Sequence, residues 1–71
     1  MRKYLIVVEA TPTGYSSYSP DLDGCVATGS TREEVESNMR DAIAFHLEGL
    51  HREGYEVPEP HTYPAYIELQ P

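Results

Sequence analysis

Cysteine is almost missing from this 71-residue sequence, which holds Cys25 and no other. A single thiol closes no internal disulfide, and no paired Cys/His spacing suggests structural zinc. Basic residues are also scarce. Five stand against twelve acids, scattered at Arg2, Lys3, Arg32, Arg40 and Arg52, for a formal net charge of −7. Holding a nucleic-acid backbone takes clustered Lys and Arg, so no direct nucleic-acid binding is expected. Long apolar runs are missing as well. Tyr4 to Val8 is too short for a signal peptide and Glu9 ends it, while nothing approaches the length of a membrane span. A lone thiol with no export signal leads us to expect a cytoplasmic protein that does not touch a membrane.

The length implies one domain, residues 1–71. A chain this short buries only about 60% of the surface it exposes when unfolded. Disulfide and zinc being excluded, association of chains is the remaining remedy, and a homo-oligomer is expected. The acidic excess reads either as a solubilising surface or as a surface complementary to a basic protein.

The stretch from Tyr18 to Val35 organises the chain. Pro20, Asp21, Asp23 and Gly24 supply turn chemistry: a fixed φ, local acceptors and a position free to take positive φ. Cys25 to Thr28 has room for one short strand, which Gly29 breaks. Thr31, with Glu34 three residues on and then apolar Val35, has the form of a capping box. The Thr31 hydroxyl is expected to accept from the Glu34 N–H and the Glu34 carboxylate to accept from the Thr31 N–H, a cap worth about 1 kcal/mol.

Before this stretch, residues 3–10 are β-branched and aromatic and too short for a helix. Tyr4, Ile6 and Val8 then line one face of a strand, with Leu5 and Val7 on the other. After a turn at residues 11–14, Tyr15 to Ser19 makes a second strand. The helix is expected from Arg32 to about Glu53. Val35, Met39, Ala42, Ile43, His46 and Leu50 form its apolar stripe, with Leu47 at the margin. Glu36 with Arg40 and Glu48 with Arg52 are i,i+4 pairs worth a few tenths of a kcal/mol each. Gly49 weakens the last turns, and Gly54 is the expected stop. A proline-rich connection leads to a last strand at Ala65–Leu69. The expected fold is α+β, β-β-β-α-β, with one helix on one face of a small mixed sheet and the fourth strand parallel beside the first.

The run from Tyr15 to Val35, with its Pro20-Asp21-Leu22-Asp23-Gly24-Cys25 turn and Gly29-Ser30-Thr31-Arg32-Glu33-Glu34-Val35 helix start, continues into Asn38, Ala42 and Ile43. It resembles the HicB-like antitoxin family over nearly the whole chain. The resemblance implies a partial ribonuclease-H-like fold, an oligomer, and a partner: a small basic HicA-type mRNA interferase whose active surface is covered. Many family members carry a further C-terminal DNA-binding domain. This sequence stops one strand past the helix, so it reads as a short, stand-alone member without direct operator binding. On that reading Glu33, Glu34, Glu36, Asp41 and Glu48 steer and meet the toxin, and the oligomer forms through strand surfaces and edges carrying Leu5, Val7, Tyr15 and Tyr66. The rival reading is an orphan HicB-like module, structural or ligand-binding, that self-assembles without a toxin.

No catalytic residue, metal ligand or cofactor is expected. Two-metal nuclease chemistry needs converging carboxylates, whereas the first strand offers only Glu9 at its far end. Asp21 and Asp23 read as turn-stabilising side chains, His46 as a core or interface residue, and His61 as solvated. Cys25 has no histidine near it in sequence and reads as a small buried apolar residue rather than a nucleophile. The six tyrosines read as interface and sheet-surface packing, because base stacking without a basic groove is a poor way to hold nucleic acid.

Overall fold

The computed structural model describes residues 2–71. Three strands, β1 (Val7–Thr11), β2 (Gly14–Ser19) and β3 (Leu22–Gly29), precede one helix, α1 (Arg32–Arg52). They form an antiparallel meander in the order β1-β2-β3. Pro12-Thr13 joins the first pair and Pro20-Asp21 the second, since Thr11 lies opposite Gly14 and Ser19 opposite Leu22. The ladder slips at Tyr18/Ser19, where β3 accommodates Asp23, Gly24 and Cys25 as a bulge. Gly24 takes the positive φ there, 76°, a region that costs a side-chain-bearing residue strain.

Residues opposite one another share a face, which sorts the sheet. Val7, Tyr18 and Val26 form one row on the open face; Val8, Ser17 and Ala27 form the row beneath the helix. The helix lies mainly over β3 and reaches β2. Leu22, Cys25, Val35 and Met39 are fully enclosed between them. Tyr4, Ile6, Ala27, Ala42, Ile43 and Leu47 pack around Leu22, Cys25 and Met39.

The helix ends where local chemistry places them. The Glu34 N–H donates to the Thr31 hydroxyl at 3.0 Å. The return bond runs to a different partner: the Glu34 carboxylate accepts from the Ser30 N–H at 2.6 Å, not from Thr31. At the other end Tyr55 N–H donates to Leu50 C=O and Gly54 N–H to His51 C=O. With Gly54 at φ 78°, this is a Schellman ending. Of the two expected i,i+4 ion pairs, Glu48–Arg52 closes. Among the described residues, Glu36–Arg40 does not.

The α+β class and the β-β-β-α order hold. Three finer expectations do not. The first strand starts at Val7 rather than residue 3, because β2 stops at Ser19, opposite the chain just before Val7. The segment ahead of it therefore overruns its ladder partner. The third strand is longer than expected, passing through Gly29, because the turn uses only Pro20 and Asp21. Among the described residues Ala65–Leu69 pairs with nothing, so the sheet is antiparallel rather than mixed, and the fourth strand is missing from it. Its side chains stand in water, and an unpaired segment has no ladder to hold it as a strand.

Candidate functional site

The five helix acids are all exposed, but the helix distributes them among different surroundings. Glu34 is committed to the cap. Glu33 lies beside it in the first turn. Asp41 and Glu48 flank Phe45 at i−4 and i+3, so the three share one side of the helix. Glu36 lies round the helix from them, in line with Arg40 and Ile43. The predicted acidic face is therefore two settings rather than one continuous surface.

Phe45 is 77% exposed, although it is the only phenylalanine of the chain. It borders a groove of about 510 Å³ between the second half of α1 and the β3 bulge, lined also by Val26, Ala42, Leu50, Glu53 and Tyr55. Val26 and Tyr55 are exposed as well. Sequence reasoning assigned Phe45 no role. The signal was available: a large aromatic off the apolar stripe, framed by acids one turn away on either side. His46 also lines this groove, half-buried, while His51 is exposed.

A second groove, of about 430 Å³, opens on the opposite side of the helix. Tyr4, Ile6, Met39 and Ile43 make its floor, with Arg2, Lys3 and Arg40 around it together with Glu36. Three of the five basic residues thus gather at one place. Arg2 is already paired with Glu59 at 2.8 Å.

The proposed interface residues also separate. Val7 faces the open side of the sheet with Tyr18, whereas Tyr15 lies on the helix side, in register with Ala10 and Gly29. Leu5 is half-buried, and its carbonyl accepts from the Ser19 hydroxyl at 2.9 Å. Tyr66 is 94% exposed, far out on the segment after the helix.

Asp21 does more than stabilise its turn. Its buried carboxylate accepts from the backbone N–H groups of His61 and Thr62, at 3.2 and 3.3 Å, and from the Thr62 hydroxyl. The His61 ring, read as merely solvated, brings Nδ1 to 3.2 Å of the same carboxylate. Together with Tyr4, whose hydroxyl donates to the Pro58 carbonyl, this clamp holds residues 58–62 against the start of the chain. The Thr62 hydroxyl is the main cause holding the Asp21 carboxyl below the usual carboxylate range. Burial opposes it, and the two amides and His61 add to it. Asp23, by contrast, is exposed. Cys25 is enclosed, and burial pushes its thiol up, keeping it neutral. A neutral thiol is a weaker nucleophile than a thiolate. Among the described residues no three His, Cys, Asp or Glu side chains converge as a metal site, and no helix is long and apolar enough to cross a membrane.

The described residues thus form a small α+β domain, a three-stranded meander carrying one helix with an exposed aromatic framed by acids. A family model described as the HicB-like antitoxin of bacterial toxin-antitoxin systems matches residues 4–70, and the chain belongs to that family. It is 36% identical over 64 residues to an uncharacterised 14.9 kDa protein from the rep-hol intergenic region of Haemophilus phage HP1. That match covers 90% of this chain and 48% of the phage protein, so this chain spans about half the length of that relative. A chain of a solved HicA3–HicB3 toxin-antitoxin complex superposes with a TM-score of 0.74 at 38% identity, covering 86% of this chain and 71% of that one. The crystal structure of the antitoxin HicB3 matches with a TM-score of 0.72 at the same identity, covering 86% of this chain and 45% of that one.

Proposed function

We propose that this chain is a non-enzymatic antitoxin that binds a small basic HicA-like mRNA interferase and masks its RNA-cleaving surface. Family membership and the likeness to a HicB3 chain solved with HicA3 support the reading. The observation that carries it to particular residues is Phe45, 77% exposed over an apolar groove and framed by Asp41 and Glu48. A protein interface draws most of its energy from a few desolvated aromatic anchors ringed by polar groups, and Phe45 with Tyr55 fits that description. Asp41, Glu48 and Glu53 supply the field that speeds encounter with a cationic partner and stand where RNA phosphates would otherwise sit. Glu33 and Glu36 add long-range attraction from outside the contact. The active unit is one domain spanning residues 1–71, working in the cytoplasm as a homo-oligomer and making no contact with nucleic acid itself.

The test is titration of this protein into an RNA-cleavage assay with a small basic HicA-like interferase. Stoichiometric inhibition is expected. Phe45→Ala should weaken binding at least tenfold, about 1.4 kcal/mol, and Glu48→Lys should slow association most at low salt. Unhindered cleavage under excess protein would reject the proposal and favour the self-assembling module without a toxin.

A further inference from the structure

After the clamp, residues 63–70 alternate cleanly. Tyr63, Ala65, Ile67 and Leu69 fall on one side, and Pro64, Tyr66, Glu68 and Gln70 on the other. That is the pattern of a strand with one face meant for a core. Yet Tyr63 is 80% exposed, Ile67 82% and Leu69 86%. The segment extends into solvent: the molecule is 50 Å long with a radius of gyration of 14.0 Å, where a compact chain of this size has about 11 Å. Two features keep it from folding back onto its own sheet. The Asp21 clamp fixes the chain at His61 and Thr62, and Pro64 restricts Tyr63 to extended backbone just where a reversal would be needed.

The counterpart is present on the same molecule. Among the described residues the outer edge of β1 has no strand beside it, and open edges are templates for another strand. Beside that edge lies the groove floored by Tyr4, Ile6, Met39 and Ile43, with Lys3, Arg40, the Glu59-paired Arg2 and one acid, Glu36, around it. The projecting segment is apolar on one face and carries Glu68 and no basic residue, matching an apolar floor whose rim holds Lys3 and Arg40 against the single acid Glu36. Seven residues from Tyr63 to Leu69 span about 23 Å as a strand, enough to follow β1 and the residues before it.

We infer that two copies of this chain exchange residues 63–69, each segment pairing with the outer edge of the other copy's β1 and seating Ile67 and Leu69 in the groove beside Tyr4 and Ile6. The exchange completes in trans the four-stranded sheet that one chain leaves unfinished, and a twofold arrangement closes it. This deepens the self-association part of the proposed function and does not depend on a toxin.

The experiment is sedimentation equilibrium of the full chain with Ile67→Lys and Leu69→Lys variants, alongside amide hydrogen exchange at Tyr66–Leu69. A dimer is expected for the parent chain. Each lysine should weaken dimerisation at least a hundredfold while leaving the helical circular dichroism unchanged, and Phe45→Ala should leave the dimer intact. Amide protection at Tyr66–Leu69 should disappear on dilution into the monomer range. A dimer that survives both lysines overturns the exchange but keeps self-association. A monomer with protected amides overturns it in favour of pairing within one chain. A monomer without protection overturns both.

Discussion

Asp21 carries the most consequence of any single residue, because one carboxylate ties together segments 40 and 41 positions apart. Its folded pKa lies below the ordinary value for an aspartate. The stabilisation it brings is therefore complete above that value and is lost as pH falls through the lower folded value. Thermal melts of the parent chain and Asp21→Asn between about pH 6 and about pH 2 test this. The parent should be the more stable at the upper end, with the gap closing at the lower; a constant gap would show that the carboxylate charge contributes nothing. Sequence reading placed Asp21 correctly in a turn and missed the clamp. Turn chemistry is local, whereas the donors, the Thr62 hydroxyl and the N–H groups of His61 and Thr62, lie 40 and 41 positions along the chain, beyond the reach of any local pattern.

Among the elements, the contact between the end of β3 and the start of α1 is set by a missing side chain. A Cβ on Gly29 would lie 2.5 Å from the Val35 nitrogen and 2.8 Å from its Cα. Both are backbone atoms, so neither can rotate away. Gly29→Ala should push the first turn of the helix off the sheet and loosen Val35, costing about 2–3 kcal/mol. Urea denaturation would show it as a lowered midpoint; a shift equivalent to less than about 0.5 kcal/mol would mean the helix start tolerates displacement. The sequence marked Gly29 as a strand breaker, while in the fold it ends the strand and admits the helix. The helix itself was legible nearly to the residue, since Thr31, Glu34 and Gly54 act on neighbours three to five positions away. The strand limits were not, because the length of β1 depends on where β2 ends, and that depends on how tightly Pro20-Asp21 turns.

At the level of the whole molecule, the helix separates two unlike grooves. One is bordered by Phe45, Tyr55 and Glu53; the other is rimmed by Arg2, Lys3 and Arg40. Net charge alone conceals this division, since an excess of acid says nothing about where the few cations collect. Apolar residues on both sides of the first segment suggest a central strand covered on both faces, whereas among the described residues β1 stands at the edge of the sheet, and the row Val7, Tyr18 and Val26 lies on its open face. The destination of Ala65–Leu69 was unreadable, because alternation identifies a strand without saying whose sheet receives it.

Residues 63–69, left in solvent by a single copy, also bear on how long a molecule lasts. Proteases take their substrates as extended chain, and Tyr66 and Leu69 are side chains that a chymotrypsin-like enzyme accepts, whereas Pro64 blocks the bond after Tyr63. A solitary copy offers that chain without any unfolding, whereas a paired strand must first open. With the strand exchange inferred above, survival depends on abundance: dilute molecules are trimmed and concentrated ones endure. Chymotrypsin digestion at two protein concentrations on either side of the dimer midpoint should give slower fractional cleavage after these residues at the higher one. Equal fractional rates would mean that numbers give this chain no protection.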